Sequence, residues 1–510
     1  MHPYHHAAAR PAHPAIVMAG SGLSMSYGEL DAKSNQVAHL FRALGLKARD
    51  RVALQLENTL DYMAIVFGAQ RCGLIYTPIS THLLRDEVAY IVNNCGARVF
   101  IGSAKIAKVA AEVREDAPAV ETFLMLHEAI EGFDSFEDAI ANQPTTPVAD
   151  EEAGIQMLYS SGTTGRPKGV LSNRPTGTAI DDPLPLPLAL VQAFGINEQS
   201  RYLSTAPLYH AAPLTFVTIS LCLGATVVIM EKFDAENALK AIEQHAITHS
   251  QWVPIMFVRM LKLPHEVRER YSLDSLQVAI HAAAPCPVDV KHEMIKWFGP
   301  RIAEYYASTE GAGFTAIDSA NWLTHPGSVG PPRSGQIHIL DDDGNALPTG
   351  EVGTVYFSGN PTKFEYYDEP DKTAASYTDQ GWATVGDVGY LDEDGFLYLT
   401  DRKHYMIISG GVNVYPQEVE DLLIVHEAVA DAAVFGVPHP EFGEAVHAVV
   451  QLRDVEVVDD DMESRLIAYL RERLSHIKVP KAIDFSRQLP RHDNGKLYKR
   501  RLLETYRDRY

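Results

Sequence analysis

Two hydrophobic periods alternate through the first half of the chain, and this constrains the fold more than any other feature. Leu30, Val37, Leu40, Phe41 and Leu44 recur at helical spacing, and residues 52–56 (Val-Ala-Leu-Gln-Leu) follow as an apolar run of strand length. The same order returns with a helical stretch at 86–94 before a strand at 98–102, and with 235–245 before a strand near His249. Parallel neighbours need a crossover long enough to be a helix, and a strand buried on both faces needs helices to cover it. The alternation therefore predicts α/β architecture with parallel sheets and helices on both faces. At 510 residues the chain amounts to roughly three domain-sized masses at ~150 residues each.

The texture changes after Ser328. Residues 336–340, an Asp-Asp-Asp-Gly turn at 341–344 and residues 353–358 predict short strands joined by tight turns, a small β-rich subdomain. The last hundred or so residues begin afresh, with strands at 406–408 and 432–435 and helices at 416–424 and 462–474, a compact α+β unit. Residues 1–20, rich in His, Ala and Pro, lack the basic-then-apolar order of a secretory signal and predict a loose lead-in. Between Arg201 and Glu231 no charged residue occurs, a span long enough for a bilayer. Pro207, His210 and Pro213 dilute its first half, and Gly224 separates it from the β-branched 225–230, so a core helix followed by a core strand is expected.

With 66 acids against 44 bases the net charge is −22, which disfavours general nucleic-acid binding. The four cysteines, Cys72, Cys95, Cys222 and Cys286, form no C-x-x-C pair, so neither a disulfide framework nor a thiolate zinc site is expected and a reducing cytoplasm fits.

The sharpest local signal is residues 159–169, Tyr-Ser-Ser-Gly-Thr-Thr-Gly-Arg-Pro-Lys-Gly. Its glycines permit close backbone approach, its hydroxyls are donors and Lys168 adds a cation, a combination suited to a polyphosphate. It does not match G-x-x-x-x-G-K-[ST]. Taken alone, such a stretch is equally a plain surface loop.

This segment resembles the phosphate loop of the adenylate-forming superfamily, whose members include acyl-CoA synthetases, carrier-domain adenylation modules and beetle luciferases. Further segments agree in order: 306–310 (Tyr-Ala-Ser-Thr-Glu) with Y-G-x-T-E, 381–387 with G-W-x-x-T-G-D, Asp401-Arg402 and 407–411 with the hinge region, and 489–496 with the terminal lysine motif. The resemblance covers the chain from Tyr27 to Lys496. It implies a large N-terminal domain, residues 1–403, of two doubly wound α/β subdomains plus the β-rich subdomain, and a small mobile α+β C-terminal domain, residues 404–510. It also implies an acid–thiol ligase that makes acyl-AMP from a carboxylic acid and ATP, then an acyl-CoA thioester, with Mg²⁺.

By that resemblance Ser160, Ser161, Gly162, Thr163, Thr164, Gly165 and Lys168 hold phosphates, and Glu310 is the Mg²⁺ ligand, a hard oxygen suited to a hard cation. Thr309 bonds the α-phosphate, with Ser308 beside it. Tyr306 stacks on adenine near Ala284 and Pro285, and Asp387 with Arg402 holds the ribose hydroxyls. Lys496 bridges the acyl carboxylate and the α-phosphate as charge builds. His404 falls at the domain pivot, where relatives carry Asp or Lys. Histidine there makes domain alternation pH-sensitive or is simply an exposed side chain. Ser409, Gly410 and Gly411 line the pantetheine channel after rotation. His210 gates the carboxylate pocket, and Phe216, Trp252, Phe257, Ala282, Ala283, Tyr305 and Ala307 surround the acyl group.

Ala307 stands where the motif has Gly, which predicts a shorter or narrower acyl pocket, and His281-Ala-Ala-Ala-Pro285 stands where relatives have Gly-Gly-Ala-Pro. The expected substrate is a hydrophobic acid, medium-chain fatty, aryl or hydroxycinnamic. A stand-alone enzyme that loads a carrier-protein thiol, and a non-catalytic nucleotide-binding protein, are the alternatives. No integral membrane association is expected, and a homodimer is compatible with the sequence. The Pro-rich 181–187 stretch either covers the pocket mouth or makes a subunit contact.

Overall fold

The computed structural model describes residues 2–128, 130–160, 167–172, 174–182, 185–360, 363–402, 405–409, 412–453, 461–491 and 497–506. Among these residues two eight-stranded sheets form the frame. In the first, six strands run parallel, in the order Ile302–Ala307, Val278–His281, His249–Trp252, Arg201–Ser204, Thr226–Ile229, Pro14–Met18. Antiparallel edges close both sides, Phe314–Asp318 and Ser24–Ser26. In the second, Ile155–Ser160, Ile75–Pro78, Arg51–Gln55, Val99–Ser103, Thr122–Leu126 and Asp134–Ser135 run parallel, and Lys168–Ser172 and Phe364–Tyr366 continue the sheet antiparallel.

The predicted helices and strands at 30–44, 52–56, 86–94, 98–102 and 235–249 lie in these sheets and their covering helices, as Tyr27–Ala43, Arg51–Gln55, Arg85–Cys95, Val99–Ser103, Ala235–Gln244 and His249–Trp252. The Tyr27–Ala43 helix starts cleanly because Ser26 and Glu29 form a capping box. The uncharged span is a core helix, Ala211–Cys222, followed by a core strand, Thr226–Ile229. Among the described residues no helix is long and apolar enough to cross a membrane.

The β-rich subdomain is an antiparallel four-stranded sheet of Gln336–Leu340, Gly353–Ser358, Asp387–Leu391 and Leu397–Arg402. The C-terminal unit pairs Val429–His439 with Gly443–Leu452, flanked by Pro416–Val425 and Met462–Arg471. Its contacts with the rest of the chain are both apolar and polar: Ile424 and Val425 pack into the core cluster around Trp252 and Met260. The Tyr498 hydroxyl donates to Glu87 at 2.9 Å, Arg501 lies 3.4 Å from the same carboxylate, and Lys262 Nζ donates to the Val429 carbonyl at 2.5 Å.

The expectation of a loose N-terminus is corrected. Tyr4–Ala9 is a helix, and Pro14–Met18 is an interior strand of the first sheet, its Ile16 and Val17 paired in register with Val227 and Val228. A histidine-rich lead-in hides this because its side chains are fixed by distant partners rather than by a local period. The Tyr4 hydroxyl donates to Asp181 at 2.6 Å, His5 Nε2 lies 2.8 Å from the other Asp181 oxygen, and Arg10 donates to the Gly224 carbonyl at 2.6 Å.

Inside the second subdomain Arg71 has no exposed side-chain area and is held by Asp31, Glu151 and the Ser34 hydroxyl. Removing one partner of a buried charge cluster strands the others, at about 3–5 kcal/mol. Arg71→Met should therefore lower the stability of this unit by about 3 kcal/mol in urea-induced unfolding. A loss under about 1 kcal/mol would show that Asp31 and Glu151 reach water without it.

Candidate active site

A single cavity of about 1260 Å³ lies where the two sheets, the β-rich subdomain and the C-terminal unit meet. The parallel strands that reach it do so with their carboxyl ends, which supply Pro78 and Ser80, Ser160, Ala206, Trp252 and Val253, Ala282–Cys286 and Ala307–Gly311. In open α/β sheets this is the edge where ligands bind, because loops leaving parallel strands diverge there.

The described candidates divide by whether they line this cavity. Ser160, Lys168, His210, Phe216, Trp252 and Ala282 do. So do Ala283, Ala284, Pro285, Tyr305, Tyr306 and Ala307, and Ser308, Thr309, Glu310 and Asp387. Phe257 does not: it is fully buried behind Trp252, with its ring edge-on to His281 at 5.4 Å, and is a core residue. Ser409 lies buried in a hairpin of the C-terminal unit, away from the cavity. Arg402 ends the Leu397–Arg402 strand in register with Asp387. Ser161, Gly162, Thr163, Thr164, Gly165, His404, Gly410, Gly411 and Lys496 lie outside the described residues.

One wall holds cations and a carboxylate. The antiparallel pairing of Lys168–Ser172 with Phe364–Tyr366 brings Lys168 to 4.8 Å above the Tyr366 ring, and the Tyr366 hydroxyl donates to Glu310 Oε1 at 3.0 Å. Burial lowers the Lys168 pKa, the neighbouring Lys372 adds to the effect, and Glu310 opposes it. Lys372 is paired with Glu369, and Lys168 beside the Glu310 carboxylate fits a polyphosphate with a divalent ion. Opposite, the Tyr306 hydroxyl donates to Asp387 Oδ2 at 2.5 Å, so an aromatic face and a carboxylate are coupled as one unit. That pair suits a base and a diol.

A third wall is aromatic. His210 is the N-cap of the Ala211–Cys222 helix, its ring edge-on to Tyr209 at 4.6 Å. The Trp252 indole N–H donates to Ser250 at 2.7 Å, which fixes its plane. The Pro-rich stretch covers the cavity: a helix begins at Pro185, and Pro185, Leu186 and Pro187 line the wall. Prolines cost little in a first turn, where their missing N–H is not needed.

Sequence reasoning missed several lining residues. Tyr366 and Lys372 carry no local signal; Tyr366 arrives through sheet pairing and Lys372 on the short helix Pro370–Ala375 that follows. Arg491, Leu497 and Tyr498 reach the cavity only because the C-terminal unit packs against it. Glu304 also lines it and is paired with Lys291 Nζ at 2.5 Å, with His281 Nε2 3.6 Å away; burial raises the Glu304 pKa and lowers that of His281.

Three comparisons bear on this geometry. The family described as AMP-binding enzyme matches residues 4–367, and the AMP-binding enzyme C-terminal domain matches residues 418–496. The long-chain-fatty-acid–CoA ligase FadD13 of Mycobacterium tuberculosis is 31% identical over 497 residues, covering 96% of this chain and 95% of its own. A feruloyl-CoA synthase of Amycolatopsis is 32% identical over 496 residues, covering 96% of each. Among solved structures, ATP-bound MatB from Rhodopseudomonas palustris superposes with a TM-score of 0.83 at 28% identity, covering all of both chains.

Ala283 adopts φ 77°, a left-handed conformation that favours glycine. An L-residue there costs about 1–2 kcal/mol. Ala283→Gly is expected to raise the thermal midpoint of unfolding, by relief of about 1 kcal/mol. A lowered midpoint would show that packing of the methyl outweighs the strain.

Proposed function

Since the chain belongs to the AMP-binding enzyme family, we propose that this cavity is the shared site of both half-reactions of an AMP-forming acid–CoA ligase acting on a hydrophobic acid. The chain activates its acid with ATP. A carboxylate oxygen attacks the α-phosphorus, the bond to the bridging oxygen breaks, and pyrophosphate leaves. The sulfur of CoA then attacks the acyl carbonyl, its proton passes to solvent, and AMP departs with the electron pair.

The observation that supports this reading is one chamber carrying Lys168 and Lys372 with Glu310 on one wall, the Tyr306–Asp387 pair on another and an apolar pocket behind His210. Lys168 neutralises the pyrophosphoryl charge, together with Thr163 and Thr164, and Thr309 donates to the α-phosphate. Asp387 accepts from the ribose hydroxyls, with Tyr306 against the base. Glu310 would hold Mg²⁺, whose chemistry is to screen the phosphate oxygens. Lys496 supplies positive charge as the pentavalent phosphorus forms, and its place on a separate domain, residues 404–510 against 1–403, lets that charge be delivered and withdrawn. His210 gates the carboxylate pocket.

Purified protein given Mg-ATP and a panel of fatty, benzoic and hydroxycinnamic acids should release pyrophosphate with one acid class, and with CoA should yield acyl-CoA and AMP in equal amounts. Pyrophosphate release without consumption of CoA would move the acceptor to a carrier-protein thiol, and no acid-dependent release would overturn the reading. Lys168→Ala should lower kcat/KM by about 10- to 100-fold, the worth of a charge-assisted contact.

Domain movement carries a pH signature. Burial against the C-terminal unit pushes the Lys262 ammonium down to about 8, from an ordinary 10.5. Undocking returns it to water, so between those values the docked arrangement binds fewer protons and gains stability as pH rises. Interdomain energy transfer between dyes on the two domains should increase from pH 7 to 9 in the native protein, and this rise should vanish in Lys262→Met. A rise of the same size in both would assign the effect to another group.

A further inference from the structure

The inner face of the Ala211–Cys222 helix is closed by rings. Phe216 stacks on Tyr305 with centroids 5.6 Å apart and on Tyr202 at 6.0 Å, and Phe194 lies 6.2 Å from Phe216. Gln251 locks the cluster, donating to the Tyr305 hydroxyl at 2.9 Å and accepting from Tyr202 at 3.2 Å. Phe216, Gln251 and Tyr305 line the large cavity, and Phe194 and Tyr202 fill the space behind them.

The other face carries small side chains and stays open. Ala211, Ala212 and Thr215 line the large cavity, and one and two turns on Thr218, Ile219 and Cys222 line a second cavity of about 70 Å³. The two cavities share Ile155, Gln156, Pro187 and Thr215 as walls. Along the helix, Ala212 to Cys222 is about 15 Å.

The far end of this second cavity gathers several donors, with Asp182 also in its wall. His2 is only 2% exposed, and its Nδ1 accepts from the Tyr4 amide at 3.4 Å, which leaves the ring proton on Nε2. That Nε2 is buried with no partner, as are Arg174 Nε and Thr218 Oγ1. A second Arg174 nitrogen donates to the Asp182 carbonyl, and Gln70 donates to the Tyr76 hydroxyl at 3.0 Å. Buried polar groups in native proteins are almost always satisfied, so three orphans around one small void call for an acceptor that enters it.

We propose that this void is the distal end of the acyl site and that it takes a hydrogen-bond-accepting oxygen, a carboxylate or a carbonyl, at the far end of an elongated apolar acid. The inference rests on the acid–CoA ligase reading and deepens it: the preferred substrate is polar at both ends. Arg174 and Thr218 set that preference, and the helix between them and His210 sets its length.

Dodecanoate, dodecanedioate and 11-oxododecanoate separate the cases, each measured by pyrophosphate release with Mg-ATP and by calorimetric binding without it. The native protein should favour the diacid or the oxo acid over dodecanoate at least tenfold in kcat/KM and in Kd. Arg174→Met and Thr218→Val should each erase most of that difference. Equal affinity for all three acids, as for a void that holds only water, would overturn the proposal, and so would variants that weaken all three in parallel. A tenfold preference in Kd without any pyrophosphate release would keep the distal site and overturn the ligase reading instead.

Discussion

The chemistry of this protein depends on a constraint of parallel sheets: every parallel strand presents its carboxyl end at the same edge. Two such sheets set with those edges facing a common space gather loops distant in sequence without any local motif that joins them. Ser160, Ala206, Trp252, Ala282 and Ala307 come from five different strands or the turns directly after them, yet line one chamber. The strands themselves are held in place by burial on both faces, as in Val227, Val228 and Ile229, which are fully buried. The loops are then free to carry residues chosen for chemistry.

A chain of net charge −22 must still attract two polyanions, ATP and CoA. It does so with few cations placed where they are partly desolvated, so that each acts through a lower effective dielectric than on the surface. Lys168 meets both conditions, with the Tyr366 ring beneath it and Lys372 nearby. Elsewhere several long cations are consumed by structure: Arg71 by Asp31 and Glu151, Arg98 by Asp50 and Glu121, Arg491 by Asp431. The overall negative field then disfavours other polyanions and leaves selectivity to the chamber.

Periodic elements were legible in the sequence because their signal is local. The strands at 336–340 and 353–358 fall as expected, and the uncharged span resolves at Gly224 into helix and strand. Ser160 and residues 306–310 were legible for a related reason, since each lies at a strand's carboxyl end or in the loop after it. What was not legible depends on which of two neighbours faces the space. Trp252 and Phe257 are both aromatic in the sequence, but Trp252 lines the cavity while Phe257 turns toward His281 and the core, and Gln251 reaches the cavity from within a strand that looks wholly internal. The N-terminal residues were illegible because their partners, Asp181, Cys222 and Gly224, lie far along the chain.

The aromatic wall shows the same limit in a sharper form. Ala307 lines the chamber, where the motif of relatives carries glycine. Depth, however, is set on the helix that begins after His210. Its residues are apolar on every side, so no amphipathic stripe marks which face is filled. Phe216 finds Tyr202 and Tyr305 on the inner side, while Ala212 and Thr215 line the chamber and Thr215 and Thr218 line the smaller void beside Arg174. Pocket shape is thus decided by which rings meet across the sheet, a long-range fact, rather than by the residue that substitutes in the motif.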